Sequence, residues 1–381
     1  MTNPLLIAAE RHRQDFQRLL RALVEIESPS HDRAAVARAV TFAASEFKKL
    51  GGKVRRHKRR SSADVLEIDF PGDPAASRLL LLGHLDTVWE TGTLLSMPWR
   101  EKAGKLYGPG IFDMKFGVVQ MLFALRILRE LHGRLPRPIT VLLNPDEEIG
   151  SQESRAITEK LAKSAAAVLV FEPSAGAEGA CKTSRKGVGN YRLRVRGVAS
   201  HAGLDFEKGA SAIVELAHQL TRIASFSDPR RGLTINPGIL RGGTRTNVVA
   251  DMAEAEIDVR VVSAAQARQI DRRLHGLRPH DRRCHLEVTG GINRMPFEAN
   301  PRTARLYRQA KVSARQLGFS LHEVGVGGGS DGNFTSALGV PTLDGLGAVG
   351  DGAHAIHEHI VAREMARRVA FAAALIQTLT P

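Results

Sequence analysis

Side chains of metal-binding type stand where apolar segments of this sequence end. His84 and Asp86 close the run RLLLLGHLDTV, Asp113 sits in YGPGIFDMKFG, and the acids Asp146, Glu147 and Glu148 follow ITVLLN. Glu172 follows AAVLVF, and His354 lies in GDGAHAIHEHI. Each is ordinary alone, since a loop Asp is commonly a cap or turn former and an exposed acid run is commonly just solvated. Adjacent acids at the mouth of a buried strand, however, repel one another unless cations or buried donors neutralise them. The strand ends deliver His84, Glu148 and Glu172, with Asp113 from the loop and His354 from the C-terminal part; these two imidazoles and three carboxylates make a mixed nitrogen and oxygen set that suits zinc, with cobalt or manganese as substitutes. Three ligand carboxylates overcompensate one zinc, whereas two zinc ions per chain leave about +1, which a hydroxide balances. With Asp113 shared, each metal receives one His and one Glu, and the carboxylate of the His-x-Asp pair orients the imidazole. The chemistry implied is hydrolysis: two metals about 3.5–4 Å apart polarise a carbonyl and acidify the water between them, and an acid not spent on metal serves as base.

Such a set must be positioned by strand ends, and the hydrophobic pattern supplies them. Residues 8–26 and 33–50 carry apolar positions at helical spacing, and VLEIDF (65–70) and RLLLLGHLDTV (78–88) read as strands. A helix near 117–132, the run at 139–144, a helix near 152–163 and the run at 166–171 continue the alternation. Strands alternating with helices imply parallel βαβ units, and nearly continuous apolar runs fit a sheet covered on both faces. From about 185 the texture changes: YRLRVRGV (191–198) and AEAEIDVRVV (253–262) alternate apolar with polar, as in a half-exposed antiparallel sheet. With helices near 209–225 and 264–276 this predicts a β-α-β-β-α-β insertion of ferredoxin-like type. GGINRMPFE (290–298) has the composition of a return hinge, and the chain closes with an amphipathic helix at 362–379. The expected fold is α/β: a mostly parallel-sheet catalytic domain from 1–184 and 293–381, interrupted by an α+β domain at 185–292.

The length of 381 residues suits two domains, and 43% hydrophobic with 25% charged residues suits a globular chain. Cys181 and Cys284 are too few for a disulfide framework and read as packing residues in a reducing compartment. The first residues lack the features of a signal peptide, and no stretch reaches the ~20 apolar residues of a membrane span, so a cytoplasmic location is expected. The net charge of +14 raises a nucleic-acid reading. Its densest run, KVRRHKRR (53–60), has no interleaved aromatics and reads instead as a solvated turn or strand edge. No nucleic-acid or membrane partner is expected.

In order, HLDTV, GPGIFDMK, DEEIGS, FEPS, SHAG, RTNVVAD, GGGSDG and GAHAIHE resemble the di-zinc metallopeptidase family of glutamate carboxypeptidases, aminoacylases, acetylornithine deacetylases and succinyl-diaminopimelate desuccinylases. The resemblance spans nearly the whole chain and is nearest the glutamate carboxypeptidase branch. It implies a zinc-binding domain interrupted by a lid domain that forms a homodimer. It implies that His84, Asp113, Glu148, Glu172 and His354 are the ligands with Asp113 bridging, that Asp86 stands behind them, and that Glu147 is the base. Spacing to Glu358 selects His354 over His357 and His359, which then read as surface residues. By the same resemblance His201 stabilises the oxyanion in the partner subunit's site. Arg260 and Asn247 hold the substrate, and Gly329 and Ser330, after Gly327 and Gly328, meet its carboxylate. The expected reaction cuts an amide bond next to a free carboxylate. It releases a C-terminal amino acid such as glutamate from a small peptide or conjugate, or, alternatively, deacylates N-acyl amino acids.

Overall fold

The structure, a computed structural model, describes residues 3–380. They form two compact units: one holds residues up to Ser184, Ala299–Gly325 and the chain from Ser330 on, the other Arg185–Glu298 and Val326–Gly329.

The first unit is built on a six-stranded sheet in the order Lys53–His57, Val65–Phe70, Ile139–Asn144, Leu79–His84, Ala167–Val170, Thr342–Leu343. Only Val65–Phe70 runs against its neighbours. Alternation along Leu79–His84 sends Leu79 and Leu81 into the large core and Leu80 and Leu82 into a smaller one with Ile157 and Ala162. Both faces being covered, these strands are apolar throughout, and each buried Leu contributes roughly 1.5–3 kcal/mol. Helix Phe116–His132 lies on the large-core side and ends at Gly133 (φ 70), whose N–H bonds to the Arg129 carbonyl. The basic run at 53–60 begins in the edge strand, where Arg55 and His57 reach Glu67 at 3.0 and 2.6 Å.

The second unit has four antiparallel strands in the order Thr234–Gly242, Met252–Val261, Gly187–Arg196, His285–Arg294. Helices Ala212–Ala224 and Ala264–His275 cover one face, where Leu193, Val195, Ile257 and Val259 pack with Leu216 and Ile270. The other face carries the alternate polar residues.

Several expectations need correction. The residues read as a hinge from 290 belong to the last strand as far as Arg294, and Arg185 and Phe297 exchange backbone hydrogen bonds at 2.9 and 3.0 Å. The second unit therefore runs on past 292 to Glu298 and takes in Val326–Gly329 as well. The final helix, Met365–Thr378, is buried almost all round rather than amphipathic. Its Arg368 is inside, where the guanidinium donates to the carbonyls of Gly347, Gly179 and Gly345. Cys181 and Cys284 are both buried and unbridged. Among the described residues no helix is long and apolar enough to cross a membrane.

Candidate metal centre

His84 is the last residue of its strand and is buried; its N–H donates to Met114 Sδ at 3.3 Å. Ring atom Nδ1 lies 3.0 Å from the Asp86 carbonyl oxygen and 3.4 Å from its carboxylate, so main chain and side chain of Asp86 share the orienting role. The opposite nitrogen, Nε2, faces Asp113 Oδ1 at 3.2 Å and Glu172 Oε1 at 3.5 Å. Glu172 follows strand Ala167–Val170, where the helix approaches so closely that a Cβ at Gly117 would stand 2.1 Å from the Phe171 carbonyl oxygen. Only glycine fits there.

Asp113 lies in the wound segment Ile111–Lys115 before helix Phe116–His132. Its second oxygen, Oδ2, is 3.6 Å from His354 Nε2, and that nitrogen is 3.2 Å from Glu148 Oε2. The result is two donor triads, His84–Asp113–Glu172 and Asp113–Glu148–His354, with the ligand atoms of each inside 4.8 Å of one another. Asp113 belongs to both. His354 has φ 61, the left-handed region, one of three non-glycine residues so placed among those described. Such strain persists where the surroundings impose it and clusters at functional sites.

The electrostatics call for cations. Burial pushes the Glu148 carboxyl up to about 7, against the hydrogen bond from His354, and its Oε1 is buried without a hydrogen-bond partner. Burial works the same way on Asp113, but His354 and His84 overcome it and hold that carboxyl well below the carboxylate range. Hydrogen bonds to Asp113 and Glu148 raise the His354 imidazole to about 10. A cluster this acidic, with an orphaned carboxylate oxygen and paired nitrogen and oxygen donors, fits divalent metal.

The turn of the three acids separates their roles. Asp146 is spent on structure, accepting the N–H groups of Glu153 at 2.8 Å and Ser154 at 3.4 Å. Glu147 and Glu148 enter a 3₁₀ turn, Glu147–Ile149, whose first two N–H groups donate to Asp86 Oδ1 and Oδ2, both at 3.1 Å. Ser30 donates to Asp86 Oδ2 at 2.7 Å. Asp86 thus fixes the acid turn as well as His84. Glu358, used in the sequence only as a spacing mark, is buried and accepts N–H groups from Gly110 (2.9 Å), Phe112 (2.8 Å) and Asp113 (3.1 Å) and from Trp89 (2.7 Å). It pins the loop that presents Asp113, a role that no local sequence pattern announces. His357 is exposed as expected, but His359 is not a surface residue: it is buried against the Tyr107 ring at 5.3 Å.

Within the second unit, His201 is exposed and its Nδ1 accepts the N–H groups of Gly203 and Leu204 at 3.1 and 3.2 Å. In the neutral ring the proton then sits on Nε2, leaving a donor facing outward. Asn247 is its neighbour, accepting the Ala202 N–H at 3.0 Å through its carbonyl. Arg260 is half-exposed and forked onto Asp258, Nε to Oδ1 and Nη2 to Oδ2, both 2.8 Å. The Gly329 carbonyl accepts from Arg185 at 3.2 Å. In the first unit Ser330 departs from expectation: it is fully buried, its hydroxyl donates to Asp344 at 2.6 Å and its N–H to Asn333 at 3.0 Å. It supports the interior and has no free donor for a ligand.

Comparison with known proteins decides the family. The description "Peptidase family M20/M25/M40" matches residues 80–378. The chain belongs to this M20/M25/M40 peptidase family. It is similar to carboxypeptidase G2 of Pseudomonas sp. (strain RS-16), with 32% identity over 386 residues covering 99% of this chain and 92% of that protein. It is similar to succinyl-diaminopimelate desuccinylase of Delftia acidovorans, with 27% identity over 308 residues, 75% of this chain and 78% of that one. In fold it resembles aminopeptidase PepT from Bacillus cereus, with TM-score 0.77 and 22% identity over 96% of this chain and 98% of that chain. As an M20 peptidase the chain is a metallopeptidase, and its two triads supply the donors that such an enzyme needs.

Proposed function

We propose that this M20 peptidase is a di-zinc carboxypeptidase that releases a C-terminal amino acid, glutamate foremost, from a small peptide or N-acyl conjugate. The observation that carries the reading is the pair of donor triads sharing Asp113. His84 and Glu172 would hold one zinc and Glu148 and His354 the other, with Asp113 common to both donor sets; cobalt or manganese would substitute. When bound, the ions would polarise the scissile carbonyl and lower the pKa of a coordinated water. Glu147 takes a proton from the attacking water and returns it to the leaving amine, while Asp86 holds both the His84 ring and the Glu147 backbone in place. His201 donates its Nε2–H to the developing oxyanion in the partner subunit's site, a role supported by the tautomer that its Nδ1 contacts impose. Arg260 grips the substrate carboxylate, with Asn247 and the Gly329 backbone beside it.

A homodimer through the second unit accounts for the open edge strand Thr234–Gly242 and for the exposed Ile239, Leu240, Ile213 and Val214. Two unbridged cysteines support a reducing, cytoplasmic location. Similarity to carboxypeptidase G2 favours the carboxypeptidase reading. Similarity to a desuccinylase favours the second, an N-acyl-amino-acid deacylase with the same amide chemistry. Zinc-loaded protein assayed against N-acyl and dipeptidyl glutamates, alanines and aromatic amino acids tests both: glutamate conjugates should be cut fastest. A panel left intact would end the hydrolase proposal.

A further inference from the structure

Arg260 carries five N–H donors, and the fork onto Asp258 uses two of them, one on Nε and one on Nη2. Among the described residues no other acceptor is bonded to it, so the two hydrogens of Nη1 and the second of Nη2 remain, an outer edge with two parallel N–H bonds. That edge matches a carboxylate as well as the edge already used. Residues 258 and 260 are two apart on strand Met252–Val261 and so share its uncovered face. The cross-strand neighbours of Arg260 are Thr234 and Val188, and those of Asp258 are Asn236 and Asn190, none of them charged. The next acid on the strand face, Glu256, is engaged by Arg241 at 3.2 Å and Arg192 at 3.6 Å. Asp258 is therefore the acid committed to Arg260.

Resting on the proposed role of Arg260, we infer that Asp258 is a positioning residue for substrate recognition. It ties down the inner edge of the guanidinium and presents the outer edge to the free carboxylate of the substrate. A long side chain so held is ordered before binding, and the substrate does not have to order it. Asp258 never meets the reacting atoms, so its effect falls on KM and leaves kcat alone.

The test is a double-mutant cycle on the best substrate of the N-acyl amino acid panel. Asp258→Asn should raise KM about three- to tenfold with kcat within about twofold, the range expected for freeing one side chain. Asp258→Glu, which keeps a carboxylate, should recover part of the loss. In the Arg260→Ala background Asp258→Asn should change nothing further. Asp258→Thr, which suits a strand, repeats the measurement if the amide variant folds poorly. A lower KM in Asp258→Asn would make Asp258 a competitor of the substrate and overturn the inference, as would additive effects or a fall confined to kcat. Arg260→Ala separates the underlying reading: if that variant binds substrate as the wild type does, the assignment of Arg260 fails, whereas a raised KM there with no effect of Asp258→Asn defeats only the role of Asp258.

Discussion

Asparagine at position 86 would leave the backbone carbonyl that orients His84 untouched while removing one of the two carboxylate oxygens that hold the acid turn. Asp86 Oδ1 accepts the Glu147 N–H at 3.1 Å, and Oδ2 accepts the Glu148 N–H at 3.1 Å and the Ser30 hydroxyl at 2.7 Å. An amide supplies one acceptor and turns an NH₂ toward the other donor. One buried N–H is then orphaned at about 1–3 kcal/mol, and the surviving bonds lose charge assistance worth about 1 kcal/mol, so the loss comes to about 2–4 kcal/mol. Because Nδ1 of His84 keeps its 3.0 Å contact with the main chain, the damage falls on the Glu148–His354 side. The expected result is two unequal metal affinities, one near wild type and one lowered about 10–100-fold, with a reduced thermal midpoint. Zinc titration against a competing chelator, run beside thermal melting, reads both. Two wild-type affinities and an unchanged midpoint would refute the reasoning, and so would a loss confined to the His84–Glu172 side.

Glu147→Gln should retain wild-type metal content and lose about 10²–10⁴-fold in kcat, the scale of a general base; metal analysis with steady-state kinetics checks it. Glu358→Gln removes charge from an oxygen pair accepting four donors, so metal affinity should fall together with about 2–4 kcal/mol of stability, read by denaturant unfolding. Glu215 is buried; burial raises its carboxyl, but the N–H groups of Asp281 and His280 prevail and hold it below the usual range. A depressed folded pKa gives stability that is present above the unfolded value and lost as pH falls through the folded one. Glu215→Gln should therefore cost about 1–3 kcal/mol at neutral pH, a difference that shrinks in acid, seen in unfolding curves at pH 7 and pH 3. If His201 acts across a dimer, mixing inactive His201→Ala with inactive Glu147→Gln protein should restore about a quarter of the wild-type rate, since half the dimers are mixed and each has one complete site. No recovery after subunit exchange would place that histidine in its own subunit's site or outside the chemistry.

The donors of the two triads were legible because each follows an apolar strand or a glycine-rich loop, local signals that survive in one dimension. His84 and Glu172 needed only the strand ends; His354 needed the family spacing, because three histidines crowd one stretch. The supporting contacts were hidden because they join distant segments: Ser30 meets Asp86 across 56 positions, and Glu358 meets Asp113 across 245. Ser330 looked like a ligand contact beside three glycines, yet its hydroxyl is consumed by Asp344, a pairing that no local pattern announces. The final helix misled for another reason. Its arginines mark a wet face by convention, but Arg368 finds three carbonyl acceptors inside and stays buried.

Activity during metal reconstitution tests most directly the proposed two-zinc site that releases an amino acid from its amide conjugate. Chelator-stripped protein would be titrated with zinc while release of glutamate from an N-acyl glutamate is followed. No turnover is expected without metal, and full activity at about two zinc equivalents per chain, with Asp113→Ala failing to reach it. Full activity in the stripped protein, or saturation at a single equivalent, would contradict the two-zinc proposal.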